Sequence, residues 1–442
     1  MQKFMQKLSG KLDEALKFGT AAIILAIPLY QKFPFISIPG TYVSVRLEDF
    51  LILTVSFIWF LKIVPNYKVF LKDRVNQAII LFLGVSLVSL ISAMFLTNTV
   101  VIHLGVLNWA RRVEYMLPFF IGFSAMRSKS DLWFYIKCIF IAIFFVFIFG
   151  VGQKHFNWPV ITTQNREYSK GIALKYIPGG HLASTFAGHY DLAAYIIITS
   201  PILFALLFSG FAKDIKTKVF VFAFIAMSFW LLVNTVSRIS VASYMLSGSI
   251  ILFLVKKWKL IPVFVVAVAI LGGLSMSLVA RYESIIKVFI KDVSAAEPVV
   301  SPAPAPVVED RSTSIRINVE WPRAIRALTK NPLMGTGFSS ITLATDNDYL
   351  RLLGEAGIVG FLAFVIIFKR IIGLILPRLK NIDLSNIGDL YVIAIASAIP
   401  GVLLNAVFID VFEASKFAIL FWLMLGFAVS AIKNEKNPEF SK

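Results

Sequence analysis

"ATDNDYLRLLGEAGIVGFLAFVIIFKR" occupies residues 344–370 and joins two kinds of chemistry. Asp346, Asn347, Asp348, Arg351 and Glu355 crowd its first half, and an apolar run ending at Lys369 and Arg370 fills the second. A run of about 20 apolar residues matches a hydrocarbon core about 30 Å thick, so the segment from about 355 to 375 predicts a membrane-spanning helix. Carried outward, the same reading finds about twelve such segments: 18–36, 47–64, 76–96, 105–126, 131–152, 190–210, 218–234, 239–256, 260–280, 355–375, 388–408 and 413–432. Backbone groups in lipid must satisfy one another, which makes these segments helices. The expected fold is an all-α, polytopic helical membrane protein of about 12 transmembrane helices, with a large extracytoplasmic loop containing short helices.

Composition supports a chain built for lipid. Of 442 residues, 58% are hydrophobic and 15% charged, with a mean hydropathy of +0.80; soluble domains carry roughly 25% charged residues. The single cysteine, Cys138, excludes an internal disulfide, and four histidines without a Cys/His cluster argue against structural zinc. The net charge of +18 is spread in short clusters between apolar runs, a pattern of membrane topology and not of nucleic-acid binding. The basic start, 1–17, runs into an apolar stretch without a small-residue cleavage site, so a retained first helix is expected.

Orientation follows from the lysine- and arginine-rich loops. Residues 3–17, 71–74, 127–130, 213–218, 256–259 and 369–380, with Lys433 and Lys436, form one alternate set. With an even helix count, that set and both termini are expected in the cytoplasm. The chain then divides into helices 1–5 (1–152), a first outer loop with helices 6–9 (153–280), a large extracytoplasmic loop (281–353) and helices 10–12 (354–442). The Pro-rich stretch 295–314 reads as a spacer unable to bury a core.

Arginines gather on the outer side, where they are not expected. Arg111, Arg112, Arg166, Arg238, Arg281, Arg316, Arg323 and Arg326 all fall there. Guanidinium forks match phosphate oxygens in pairs and stay charged at any relevant pH, so several on one outer surface suit a diphosphate at headgroup level. Arg111 and Arg112, beside Trp109, serve equally as interface anchors, and Arg281 beside Tyr282 as part of an aromatic belt. Arg316 and Arg323 share a face if one helix is continuous, but Pro322 can kink that helix or begin a new one.

The order of "TVSRIS" (235–240), "RINVEW" (316–321), "NPLMGTGFSS" (331–340) and "DNDYLRLLGEAGIVG" (346–360) resembles the O-antigen ligase and polysaccharide polymerase family. The resemblance is strongest over 316–360, in Arg316, Trp321, Asn331-Pro332, Gly335, Gly337, Asn347, Leu350, Glu355 and Gly357. It implies a metal-independent, inverting membrane glycosyltransferase without a cofactor, working at the outer face of a bacterial cytoplasmic membrane. The donor would be a glycan on undecaprenyl diphosphate and the acceptor a glycan or lipid hydroxyl; membrane lipids would be the other partners, and nucleic acid none. By the same resemblance Arg238 and Arg316, with Arg323, hold the diphosphate, and Asp346 contacts the acceptor hydroxyl. Ligases of the family usually have His-Asn where this chain has Asp346-Asn347, and His189-Tyr190 replaces a usual Pro-Asn pattern. Asp-Asn is more common among capsule-type polymerases, so ligase and polymerase both stay open.

Asp346 suits a general base, although Thr345 or Asp346 also suits capping the next helix. His181 and His189 are rival proton acceptors. Asn347, Tyr349, Glu355, Arg111 and Arg112 complete a secondary set, with Glu355 placed to position a basic partner. Asp346 and Asp348 form a D-x-D pair, a weak metal signal. A lipid-linked glycan transporter or flippase is the alternative from another class, but it should carry charge near the bilayer midplane, and here polar residues collect at one face. A non-catalytic relative also stays open.

Overall fold

The computed structural model describes residues 2–31, 35–37, 44–160, 176–177, 180–273, 314–342 and 344–434. Apolar runs fold into helices throughout: α1 (Gln2–Leu29), α2 (Leu47–Ile63), α3 (Tyr67–Lys72), α4 (Arg74–Phe95), α5 (Ile102–Ala125), α6 (Lys129–His155) and α7 (His189–Leu207). They continue with α8 (Ile215–Asn234), α9 (Arg238–Leu254), α10 (Ile261–Gly273), α11 (Trp321–Lys330), α12 (Asp348–Arg378), α13 (Ile387–Asn405) and α14 (Ser415–Asn434). A two-residue antiparallel ladder pairs Ile36 with Val45 and Ser37 with Ser44. The fold is an all-α polytopic membrane protein. Arg166, Arg281, Tyr282 and the Pro-rich spacer, apart from Ser314, lie outside the described residues.

Seven helices, α4, α6, α7, α8, α12, α13 and α14, are long and apolar enough to cross a membrane. The other five expected spans fall on α1, α2, α5, α9 and α10, which are shorter or carry more charge. Polar side chains cap the starts where sequence permits: Asp73 for α4, Ser128 for α6, Asp214 for α8, Asn347 for α12 and Asn386 for α13. Each supplies an acceptor to an amide that has no partner within its helix. Asn347 explains why α12 begins at Asp348, a full two turns before the apolar run expected from 355.

The ends of the long helices sort into two faces. At one face Lys62 and Arg127 both pair with Asp13, Lys17 lies 2.6 Å from Asp131, and Arg378 lies 2.6 Å from Asp389. Ser430 and Asn434 at the end of α14 bond the Met126 carbonyl, and the Gly210 amide bonds Leu384 O, closing this basic face. At the other face the fully buried Lys416 donates to Tyr30 O and, at 2.8 Å, to Thr185 O. There too the Leu182 amide bonds Asn234 O, and Ser240 bonds Asn405. Inside, α5 packs along α14, α4 along α12, and α13 against both α7 and α9. A Cβ on Gly122 or Gly426 would collide with the facing backbone, so these glycines let α5 and α14 approach closely.

One helix is broken where the site is built. Gly357 in α12 has φ 69° and ψ −175°, a region open only to glycine. The break frees backbone groups that an intact helix would consume. Thr336 N bonds Gly354 O (2.9 Å), Gly337 N bonds Glu355 O (2.8 Å), Ile358 N bonds Pro332 O (2.9 Å) and Val359 N bonds Leu333 O (3.2 Å). Ser89 of α4 adds bonds to Met334 O and Glu355 O. Thus "NPLMGTG" is stitched onto "GEAGIVG", and the close approach leaves no room for a Cβ at Gly335 (φ 71°) or Gly357. Non-helical backbone at such depth is tolerated because protein groups satisfy it.

Gly357→Ala is expected to cost about 1–3 kcal/mol from backbone strain alone, with the clash against Leu333 in addition. Thermal unfolding in detergent should show a lower midpoint for this variant, while Gly373→Ala, at a helical glycine with open space around it, should leave the midpoint near the parent's.

Candidate functional site

The break in α12 and the loop before it bring charged groups from four parts of the chain together. Residues Arg316–Glu320 form a five-residue π-helical turn ahead of α11. Single π turns of this kind are frequent at functional sites. This turn bears on the ambiguity at Pro322: the backbone stays in the right-handed helical region from Ile315 through Trp321, and the π turn passes directly into α11 with the proline at its start. Arg316 and Arg323 therefore do not lie on one regular helix.

Arg316 donates to Asp346 Oδ2 from Nε at 3.0 Å and from Nη2 at 2.7 Å, and Nη2 lies 3.5 Å from the Tyr190 hydroxyl. The Tyr190 ring lies against His189 with centroids 3.9 Å apart, and His189 stacks on His181 at 4.2 Å. His181 Nδ1 is 3.1 Å from the Thr235 carbonyl. A run of contacts thus leads from the Thr235 carbonyl, three residues before Arg238 opens α9, through His181, His189 and Tyr190 to Arg316 and Asp346. Arg323 Nη1, Trp321 Nε1 and Glu320 Oε2 are buried and have no hydrogen-bond partner among the described residues.

The Asp346 loop is held from behind. Asp346 has φ 48°, a conformation aspartate tolerates better than most residues. Asp410 accepts from Thr345 N at 2.8 Å and Asn347 N at 3.0 Å, so the amides on both sides of Asp346 share one carboxylate. The same Asp410 accepts from Arg351 at 3.2 Å. Asn347 caps α12 through Leu350 N at 2.9 Å, Asp348 accepts from Phe412 N, and the Tyr349 hydroxyl bonds Leu403 O. Asn347 and Tyr349 of the secondary set, together with Asp348, hold the loop's shape. The D-x-D carboxylates diverge, Asp346 to Arg316 and Asp348 to Phe412, and among the described residues no group of three His, Cys, Asp or Glu is placed to hold a metal ion.

Arg111, Arg112 and Glu355 gather on the far side of Asp410. Arg111 meets Asp49 of α2 through two bonds (3.1 and 3.0 Å) and Glu114 at 3.3 Å. Arg112 pairs with Glu413, lies 3.9 Å from Glu355, and sits over the Phe338 ring. Arg351 lies 3.6 Å from Glu355 and 3.3 Å from Glu413. Arg111, Arg112, Arg351, Glu355 and Glu413 line a cavity of about 180 Å³. Buried charges persist in an apolar chain only when paired, and here each arginine has its carboxylate.

Four participants were missed in the sequence reading: Tyr190, Glu320, Asp410 and Glu413. The last two had a signal, since "FIDVFE" (408–413) sets two acids in a short loop between the last two spans. Burial raises the Asp346 carboxyl above the usual range, and Asp410 adds to this while Arg316 opposes it. Glu320 is raised to about 7, chiefly by burial, with Asp346 adding and Arg316 opposing.

A carboxyl with a folded pKa of about 7 against an ordinary 4.5 binds more protons folded than unfolded. Its presence therefore lowers stability as pH rises through that window, and the full deficit is reached above it. Glu320→Gln should remove this dependence: its melting temperature should match the parent's near pH 4.5 and exceed it at pH 8. Parallel melting curves across the range would refute the assignment.

Residues 222–365 match the family model described as O-antigen ligase. No curated protein matches the chain. The matched segment runs from α8 into α12 and includes Arg238, Arg316, Arg323, Asp346, Asn347, Tyr349 and Glu355, while Tyr190, Asp410 and Glu413 fall outside it. Over residues 222–365 the chain is similar to the O-antigen ligase family, and its long apolar helices are those of a membrane protein.

Proposed function

We propose that the protein transfers an oligo- or polysaccharide from undecaprenyl diphosphate to an acceptor hydroxyl, at the outer face of a bacterial cytoplasmic membrane. The basic face of the bundle is then cytoplasmic, with both termini, and the Arg316–Asp346 face is extracytoplasmic, following the positive-inside rule. The observation that carries this reading is the Arg316–Asp346 pair, seated on a π turn and linked through Tyr190, His189 and His181 to the start of α9. A fixed guanidinium suits a phosphate leaving group, and a partly buried aspartate with a raised pKa suits a proton acceptor.

In this mechanism Arg238 and Arg316, with Arg323, take the donor diphosphate. Phosphate oxygens compete with Asp346 for the Arg316 fork, so donor arrival releases the carboxylate that Arg316 had neutralised. The acceptor oxygen attacks the anomeric carbon, the bond from that carbon to the diphosphate oxygen breaks, and Asp346 receives the hydroxyl proton. The configuration inverts in this single displacement. Charge on the departing diphosphate is stabilised by the arginines, which stand where other enzymes use a divalent cation. Asn347 and Tyr349 shape the loop, and Glu355 positions Arg112 and Arg351 behind it. Transfer to a lipid-linked core would make the protein a ligase, and transfer to another lipid-linked repeat a polymerase.

Purified protein given an undecaprenyl-diphosphate glycan and an acceptor should transfer sugar in the presence of a chelator. Arg238→Ala and Arg316→Ala should each lower the rate by at least about 10²-fold, and Arg316→Lys should fail to restore it because a point charge cannot replace a fork. Asp346→Asn should cost about 10²–10⁴-fold and remove the rise in rate with pH that ionisation of Asp346 produces. Normal transfer by both alanine variants would refute the donor site. A ladder on the donor lipid identifies a polymerase; a single addition to a different acceptor identifies a ligase.

A further inference from the structure

The basic face, opposite the Arg316–Asp346 site, contains a cavity of about 560 Å³ between the start of α4, the far half of α12 and the end of α14. Lys72, Arg74, Lys369, Arg370 and Lys433 line it with a single carboxylate, Asp73, and Val75, Gly373 and Leu374 supply an apolar wall. Asp73 is already committed. One of its oxygens accepts from Val75 N (2.9 Å) and Asn76 N (3.1 Å) to cap α4, and the other pairs with Lys433. Among the described residues, Lys72, Arg74, Lys369 and Arg370 have no ion-pair or hydrogen-bond partner.

Exposed lysines such as Lys213, Lys216, Lys218 and Lys256 also stand at this face, but not in this cavity. Lys17, Lys62, Arg127 and Arg378 at the same end each meet an aspartate. Four uncompensated cations drawn from three segments into one cavity repel one another, and an anion there would relieve the repulsion. The depth of the cavity indicates which anion. At 1.5 Å per residue the 22-residue α4 is about 33 Å long, so Arg74 at its start lies about one hydrocarbon thickness from the site face. Exposed Ile80, Leu81, Ile372 and Leu376 continue from the cavity onto lipid-facing surface. A ligand here has water on one side and acyl chains on the other. Basic pockets between transmembrane helices at this level suit anionic lipid headgroups.

We propose that this cavity binds the phosphate headgroup of an anionic phospholipid in the leaflet away from the reaction site. Lys72, Arg74, Lys369 and Arg370 hold the phosphate, and the Gly373–Leu374 wall receives the beginning of the acyl chains. The site does not depend on the transferase reading.

The full chain, purified and titrated with phosphatidylglycerol or phosphatidylcholine, is to be followed by native mass spectrometry and thermal unfolding. Phosphatidylglycerol should be retained preferentially and should raise the melting temperature. The quadruple variant Lys72→Gln/Arg74→Gln/Lys369→Gln/Arg370→Gln should bind it on the order of several hundredfold more weakly. A control with Lys213, Lys216, Lys218 and Lys256 changed to Gln, all exposed at the same face, should keep the parent's affinity. Should the quadruple variant not fold, Arg74→Gln and Lys369→Gln singly should each weaken binding about fivefold. Equal retention of the two lipids, unchanged binding in the variants, or an equal loss in the control would overturn the proposal. Inorganic phosphate alone should protect poorly; protection equal to that by the lipid would make a soluble anion the ligand and overturn the lipid assignment.

Discussion

Asp410 holds the two amides that flank Asp346 and, with the same carboxylate, the guanidinium of Arg351. One side chain in the loop between α13 and α14 thus fixes the acid that pairs with Arg316. A loop at a membrane surface has little apolar material to pack with, and its shape must come from hydrogen bonds whose donors and acceptors are shielded from water. Charge-assisted bonds are the strongest of these, and leaving one partner buried alone is costly. The carboxylate that anchors the loop therefore also requires Arg351, which in turn requires Glu355 and Glu413. Arg112 joins through the same two glutamates. The result is a paired network across α5, α12 and the α13–α14 loop, on which the site rests.

The broken helix serves the same end by different means. A continuous α12 would use the carbonyls of Gly354 and Glu355 internally and leave the "NPLMGTG" loop with unsatisfied amides. The left-handed turn at Gly357 releases those groups to Thr336 and Gly337, so the loop is bonded as tightly as a strand edge. Ser89 reaches the same place from α4. Rigid backbone on one side and the Asp410 clamp on the other hold the Asp346 segment between them.

The apolar architecture was legible because a lipid environment permits few solutions: each long apolar run must be a helix, and each helix needs polar ends. Helix starts were less legible. α12 begins at Asp348 because Asn347 caps it, a local signal that the hydropathy of the following run outweighed. The site was legible in its residues and not in its pairings. Arg316 and Asp346 were both singled out, yet nothing in a linear pattern says that they face each other across 30 residues, or that Arg111 meets Asp49 across 62. Glu320 escaped because its importance comes from a π turn, which shifts register by one residue and has no compositional mark. Asp410 and Glu413 stood in plain view in "FIDVFE", but a short acidic loop acquires meaning only when the arginines it faces are known.

The Arg316–Asp346 pair raises a question of economy, since a half-buried ion pair often contributes little net stability over an apolar substitute. Its value in the proposed reaction lies in preorganisation. Without Asp346, an Arg316 side chain ahead of α11 would sample many rotamers and would have to be ordered by the donor at an entropic cost. With it, the fork is already aimed, and the guanidinium in turn favours the ionised form of Asp346, against a burial that raises its pKa. Each group holds the other in the state the reaction needs, and the pair separates only for a ligand with a stronger claim on the guanidinium than one carboxylate. A diphosphate, with more negative charge and more acceptor oxygens, has that claim. In the proposed reaction the discrimination would follow from charge and geometry: a neutral glycan approaching alone would leave the pair closed and the aspartate masked, so the proposed proton acceptor would be freed only with the activated donor in place.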